Sequence, residues 1–375
     1  MRLTDISNDI NDWFSGSGPL ADIVVSSRIR LARNLAGHKF VGNCSDEEKL
    51  QILAELKAVL MSLDLGDEVF YVSVDKASHL NRDLLVERHL ISRHHAQAKG
   101  PRGAIIAKHE SFTAMVNEED HLRMQVLKAG CQLLQCAEQI DHIDDMIEEK
   151  VDYAFNSRFG YLTACPTNLG TGIRVSVMLH MPALKMTGQI DKFLNAAKDM
   201  NLAVRGLFGE GSEATSDLYQ LSNQVTLGVS EKAIVAKFEQ EIIPEVVEYE
   251  KAARRQLLTS QVDALDDKIS RAMALLQNAN LISSQEALFL LSHLRLGLNL
   301  HAHMGASTPA IQRLCALRNG TASNDEHGLS IRTINRLFML TLPAHLQMNY
   351  GQALDPAHRD ALRAKIIREA LTHPS

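Results

Sequence analysis

Apolar positions recur along this chain with two periods. Ile52, Leu53, Leu56, Leu60 and Leu63 fall three and four apart, the spacing of one stripe on a helix, and Ser45 with Glu48 three residues later forms a capping box at its start. Runs of strand-forming residues follow at 69–74, 103–107 and 112–117. In the last of these, Phe112, Ala114 and Val116 alternate and so share one face. Further strands are expected at 161–164, 174–181 and 201–208, with a long helix over about 132–151 and a shorter one over 189–200. No regular strand-helix-strand beat connects them, so the pattern predicts a mainly antiparallel sheet flanked by helices. From Ser230 onward the pattern is helical, over 230–258, 262–278, 284–299, 308–318, 330–340 and 356–371. Pro244 should kink or break the first of these helices, Asp355 and Pro356 open the last, and the turn-rich 319–328 reads as a loop. The fold class is α+β, with a sheet domain over 1–245 and an all-α domain over 246–375.

Composition narrows the function. The 375 residues are 45% hydrophobic and 22% charged, enough apolar material for extensive cores, and their net charge of −6 gives no general attraction to nucleic acid or an anionic membrane. Any bound anion must be held by a local cluster. The start, MRLTDISNDINDW, has neither a secretory nor a transit pattern, which leads us to expect a cytoplasmic protein. The longest apolar stretch, ALFLLSHLRLGLNL, is interrupted by His293 and Arg295 and is too short for a membrane helix. Five cysteines without a CxxC pair or zinc spacing are expected to be reduced thiols.

Four segments carry candidate chemistry. SSRIRLAR (26–33) holds Arg28, Arg30 and Arg33, and in an extended stretch the first two point to the same side. They form either a solvated basic edge or a phosphate clamp. NEEDHLR sets Glu118, Glu119 and Asp120 ahead of His121 and Arg123 directly after a strand pattern, so sheet carries and partly shelters these acids. A sheltered carboxylate beside a cation is a candidate base or cation-holder. CPTNLGTGIR (165–174) is a loop whose glycines allow close backbone approach, with Cys165 and Arg174 at its ends; a tight hairpin is the bland alternative. RGLFGEGSEA (205–214) superficially fits the dinucleotide fingerprint, but TSDLYQLSN behind it is a poor amphipathic helix, and Glu210 would face a pyrophosphate with like charge. It reads better as a mobile loop offering Arg205 to an anion and Glu210 to a cation. Neither a P-loop nor a protein-kinase motif set is present.

In order and spacing, DIVVSSRIRLARN, VNEEDHLRMQ, YLTACPTNLGTGIR and RGLFGEGSEA resemble the phosphagen (guanidino) kinases, and most closely their bacterial relatives, the protein arginine kinases. The resemblance implies a phosphagen-kinase-type catalytic domain. Its ATP site would comprise Ser26, Ser27, Arg28, Ile29, Arg30, His89, Arg123, the stretch Arg174, Val175, Ser176, Val177 and Met178, and the stretch Arg205, Gly206, Leu207, Phe208, Gly209 and Glu210. Glu119 and Glu210 would grip the acceptor guanidinium, with Cys165 beside it. This suits the chemistry: a guanidinium must be held in line with the γ-phosphoryl group and lose a proton, while cations neutralise the spreading charge. Mg²⁺ is expected to arrive with ATP rather than at a dedicated metal site.

Acceptor size separates the branches of the family. SSRIR begins at residue 26, which leaves no room before it for the helical substrate-closing domain of the small-guanidine enzymes, so a protein substrate is expected. In the helical third, Arg359, Asp360, Arg363 and Ala364 lie in RDALRA, which matches the RDxxRA motif of protein arginine kinases, and PAHLQMNYG ahead of it is similar too. The motif implies phosphoarginine recognition and allosteric control; judged alone its spacing reads as a solvated helix face, and the similar PAHLQMNYG segment is what favours the functional reading. Residues 301–328 depart from the family pattern. The expected activity is therefore ATP-dependent phosphorylation of protein arginines, marking clients for an ATP-driven unfoldase-protease in a stress response. A zinc-finger-type activator and a homodimer are implied by the same resemblance. A small-molecule arginine kinase and a catalytically silent phosphoarginine-binding adaptor are the competing readings.

Overall fold

The computed structural model describes residues 11–207, 216–317 and 329–372. Phe208, Gly209 and Glu210, and the loop expected at 319–328, lie outside them. Eight strands form one sheet: β1 (Val24–Arg33), β2 (Val69–Ser73), β3 (Gly103–Ala107), β4 (Phe112–Val116), β5 (Leu122–Ala129), β8 (Ile173–His180), β9 (Leu202–Gly206) and β10 (Leu218–Asn223). The strands β6 (Phe155–Asn156) and β7 (Gly160–Tyr161) make a separate small hairpin, which is all that forms of the strand expected at 161–164. The order is β2-β3-β4-β5-β1-β8-β10-β9 and every pairing is antiparallel.

Strand pleat gives this sheet two unlike faces. On one, Ile29, Leu31, Val126, Val175, Val177 and Leu221 are fully buried in a core. The helices Asp46–Met61 and Leu133–Glu148 join that core through Ile52, Leu56 and Leu60 and through Leu133, Cys136 and Ile140. The Ser45 hydroxyl accepts the Glu48 amide at 3.2 Å, as the capping pattern predicts. On the opposite face, at the β2–β4 end, Ala104, Ile106 and Met115 pack with Leu84, Leu85 and Ile91 in a second, smaller core. Towards β1 and β8 that face turns polar.

Strand β10, paired between β8 and the edge strand β9, lies within TSDLYQLSN, the segment discounted above as a poor helix. All six of its residues are buried, and its polar-apolar alternation is confined to Tyr219–Ser222, too short to mark it as a half-exposed strand. Pro244 acts as expected, though not by a simple kink. Glu231–Lys237 is α-helical, Phe238–Ile242 widens into a π turn, and a new helix runs over Ile243–Ser260 with the proline in its first turn. Proline has no N–H to return to the carbonyl four residues back, and the wider turn accommodates that loss.

The boundary expected at 245/246 falls in the first turn of Ile243–Ser260. This helix is tied to the sheet domain: Glu250 accepts the Ala183 and Leu184 amides at 3.2 and 3.0 Å, and Arg254 pairs with Asp22 at 2.9 Å. The helical part continues with Val262–Asn278, Ser284–Met304, Pro309–Ala316, Ile331–Leu340, Pro343–Tyr350 and Pro356–Thr372. No helix among the described residues is long and apolar enough to cross a membrane.

Candidate active site

Register on the polar face of the sheet sets the site. Arg28 and Arg30 are two apart on β1; Arg30 lies opposite Gln125 of β5 and Arg174 of β8, and Arg28 opposite Ser176. Arg123 follows on β5, and Arg205 of β9 stands across from Gln220 of β10. The five arginines line one cleft of about 510 Å³, and His89, Glu118, Glu119 and Cys165 line it with them. Four distant segments of the sequence are thus brought to one place. Arg33 is separated from them: it is buried against Asp144 at 2.6 Å, with its guanidinium over the Tyr161 ring.

Crowded like charges shape the electrostatics. Burial, reinforced by Arg174, Arg123 and Arg205, lowers the Arg28 pKa to about 10. Burial and the same neighbours, with Arg28 added, hold Arg30 well below its ordinary value. Arg28 donates to neutral oxygens, Gln220 Oε1 at 2.8 Å and Ser176 Oγ at 3.4 Å, and Arg174 donates to Ser222 Oγ at 3.2 Å. The buried Arg30 Nε has no hydrogen-bond partner among the described residues. A concentration of guanidinium groups of this kind is suited to a polyanion. His89, in the left-handed region at φ 60°, is pushed down to about 3 by burial and by Arg28, Arg30 and Arg93, so its ring is neutral.

The acids sit in the tight turn joining β4 to β5, with Asn117 at φ 58° and the Asn117 amide donating to His121 O at 2.9 Å. Their surroundings make them unlike one another. Glu118 is buried, but Arg123 at 2.7 Å and the Ser92 hydroxyl at 2.6 Å outweigh that burial and bring its pKa to about 2. Asp120 is fully buried and accepts Asn34 Nδ2 at 2.6 Å and the Ala164 amide at 2.7 Å, which ties the turn to the loop carrying Cys165. Glu119 alone among the three keeps a substantially exposed side chain, at 40%. Burial, then Glu118 and Asp120, raise its pKa against the opposing pull of Arg123. Its carboxylate is therefore both accessible and more basic than usual. Cys165 Sγ lies 3.0 Å from Thr167 Oγ1 on the same cleft wall.

The remaining site expectations divide by pleat. Ser176 and Met178 share the face of Arg174, whereas Ile29, Val175 and Val177 point into the core. Ser27 is buried too, donating to Gly130 O at 2.8 Å and accepting the Gln132 amide. Ser26 lies beside Arg28 and His89, Gly206 pairs with Tyr219 on β10, and Leu207 reaches the cleft. The glycines of the Cys165 loop approach the protein's own backbone rather than open space. A Cβ at Gly172 would sit 2.6 Å from Ala32 O, at a φ of 66°. Sequence reasoning passed over Ser92, Gln125, Gln220 and Ser222. For the last three the signal was strand parity with the arginines, hidden for β10 because that strand was not identified.

In the helix Pro356–Thr372, Arg359 and Arg363 do not present themselves equally. Arg363 is 1% exposed; it donates to Thr341 O and Ile282 O, each at 2.7 Å, and pairs with Asp360 at 2.6 Å. Arg359 is half-buried and donates to Leu354 O at 2.8 Å. Ala364 is fully buried. A pair of cations side by side on a solvated helix face is therefore not what forms: Arg363 and Asp360 satisfy each other, because a buried guanidinium needs a charged partner.

The chain is similar to known proteins. Residues 51–253 match the family model of the ATP:guanido phosphotransferase C-terminal catalytic domain, and 262–303 and 300–375 that of the protein-arginine kinase McsB C-terminal domain. The protein-arginine kinase of Halothermothrix orenii is 40% identical over 374 residues, 99% of each chain. That of Bacillus pumilus is 39% identical over 368 residues, 98% of this chain and 94% of the relative. Among solved structures, the duplicated taurocyamine kinase from Schistosoma mansoni with bound transition state analog components aligns with a TM-score of 0.56 at 26% identity, over 64% of this chain and 34% of that one. With both family models matched and relatives aligned end to end, the chain belongs to the ATP:guanido phosphotransferases, in their protein-arginine kinase branch.

Proposed function

We propose that this enzyme transfers the γ-phosphoryl group of ATP to the guanidinium of arginine side chains in proteins. The observation that carries the reading is the convergence of five arginines on the polar face of the sheet, with the accessible Glu119 on the same cleft. Arg28, Arg30, Arg123, Arg174 and Arg205 hold the triphosphate, and the unpartnered Arg30 Nε fits an acceptor oxygen of that kind. Neutral His89 adds no charge, and the stretches 174–178 and 205–210 supply the remaining nucleotide contacts. Glu119 and Glu210 orient the acceptor guanidinium beside Cys165. Glu119 takes the proton as the nitrogen–phosphorus bond forms and the bond from γ-phosphorus to its bridging oxygen breaks, releasing ADP. Mg²⁺ accompanies ATP and neutralises phosphate charge; among the described residues no group of three or more His, Cys, Asp or Glu is arranged to hold a metal.

The same reading extends to the division at 245/246 and to the helical domain. Arg359, Asp360, Arg363 and Ala364 form a phosphoarginine-responsive element in which Arg359 is the more accessible cation and Arg363 anchors the helix. In the cytoplasm, as a homodimer under a zinc-finger-type activator, the enzyme marks clients for an unfoldase-protease during stress.

The test is incubation with Mg-ATP and either free arginine or an unfolded arginine-rich protein, with phosphate localised by mass spectrometry under non-acidic conditions. Phosphoarginine on protein but not on free arginine is expected. Glu119→Gln should lower kcat by about 10²–10⁴-fold, the usual worth of a positioned proton acceptor, while ATP binding persists. Transfer to free arginine alone, or full activity in Glu119→Gln, would overturn these assignments.

A further inference from the structure

A second depression lies next to the active cleft and is unused by the chemistry above. It is a groove of about 1370 Å³ between the sheet domain and the helical domain, walled on one side by the helices His79–Glu87 and Arg93–Gln97 and on the other by Ser284, Leu288 and Leu342–Ala344. The two depressions are continuous: Val86 and Arg93 line both. The helix Arg93–Gln97 is the ridge between them. Ser92 and His94 face the cleft, where His94 lies 3.5 Å from Glu118, while Ala96 and Gln97 face the groove.

The lining of the groove identifies the ligand chemistry. Its floor is apolar, with Val86, Ala96, Leu288, Leu342 and Ala344. Its charge is unbalanced: Arg82, Arg93 and Lys99 are cations, and the acids are Asp83 and Glu87. Glu87 is already engaged, accepting the Ala344 and His345 amides at 2.8 and 3.1 Å and His345 Nδ1 at 2.8 Å. An excess of positive charge over an apolar floor complements an extended segment that carries acidic and apolar side chains.

We propose that this groove binds the polypeptide flanking the target arginine, with a preference for acidic and apolar neighbours. The inference rests on the reading of the enzyme as a protein kinase for arginine, and deepens it. With the target guanidinium at Glu119, the chain crosses the Arg93 ridge and lies between Lys99 and Arg82. The acceptor arginine is thus selected by its neighbours as well as by its own side chain. Binding along a second surface lowers KM without changing the chemical step.

The experiment uses the full chain and synthetic peptides with one arginine flanked by Asp/Leu, Ser/Gly or Lys/Leu residues, each with an Arg→Lys control. Fluorescence anisotropy reads binding, and mass spectrometry at neutral pH reads turnover. For the Arg82→Glu/Lys99→Glu variant, affinity for the acidic peptide should fall by about tenfold, and KM rise to match with kcat held, as expected when complementary charges become repulsive. Preference should move towards the Lys-flanked peptide, a change that loss of folding would not produce. Equal affinity of wild type and variant for the acidic peptide overturns the groove assignment, as does an equal loss for all three peptides. Because anisotropy does not require catalysis, acidic-peptide binding that disappears in the variant supports the groove even if no peptide is phosphorylated, and that result would count against the kinase reading alone.

Discussion

At the scale of single residues, environment decides what each charge can do. Glu118, Glu119 and Asp120 are consecutive, yet one is locked to Arg123, one is accessible with raised proton affinity, and one is fully buried as a tie to the Cys165 loop. The residue pattern announced an acidic turn beside an arginine, and only the family resemblance singled out Glu119; the pattern itself could not say which acid faced the cleft, because that depends on Ser92 and Asn34, far away in the chain. The arginines of RDALRA show the same limit. Arg363 holds the carbonyls of Thr341 and Ile282, which join three segments of the helical domain. Arg363→Ala should therefore cost about 3 kcal/mol of stability by urea denaturation, the scale for breaking a buried ion pair. Arg359→Ala should leave stability within about 0.5 kcal/mol and instead weaken phosphoarginine binding by calorimetry. Equal destabilisation by the two would show that the residues are not divided in this way.

At the scale of elements, capping and pairing explain both the successes and the misses of pattern reading. The helices Asp46–Met61 and Leu133–Glu148 were legible because each buries one stripe. β10 was not, since it is enclosed on both faces and alternates only over Tyr219–Ser222. The helix Pro343–Tyr350 was also missed as an element. Its first turn is capped from outside by Glu87, a residue 257 positions away from Ala344, and no local signal marks that cap. Glu87→Gln should loosen this docking by about 1–2 kcal/mol, the worth of a cap and a charge-assisted hydrogen bond. Hydrogen exchange checks it: amides of 343–350 should lose protection while those of 133–148 keep theirs. Unchanged protection in 343–350 would refute the external cap.

At the scale of the whole molecule, the sheet-bearing part and the helical part, legible as a change of pattern, are joined by polar contacts that no pattern reveals. Arg295 donates to Ala21 O at 2.7 Å and to Asp22 O at 3.1 Å, and Arg254 pairs with the Asp22 side chain. Buried histidines give the fold an expected dependence on pH. Burial lowers the pKa of His89 to about 3 and of His95 to about 4, holds His180 well below its ordinary value, and lowers that of His345 despite Glu87. A histidine kept neutral in the fold binds its proton more readily once unfolded, so these groups contribute fully above pH 6.5 and lose their contribution as pH falls below it. The loss is about 1.4 kcal/mol per pH unit for each group until its folded pKa is reached. Melting temperature should fall steadily from pH 6.5 towards 4.5, and a flat profile over that interval would contradict the assignment.

The two-faced sheet also bears on how such an enzyme changes over generations. On β1 and β8 the even-numbered positions 28, 30, 174 and 176 face the cleft, and the odd-numbered positions 29, 31, 175 and 177 face the core. Parity separates two kinds of heritable variation: one set of sites tunes affinity with little effect on packing, and the other tunes packing with little effect on affinity. Single-nucleotide changes at neighbouring codons therefore meet opposite constraints, and the grip on phosphate can be retuned in this scaffold without the core having to be rebuilt.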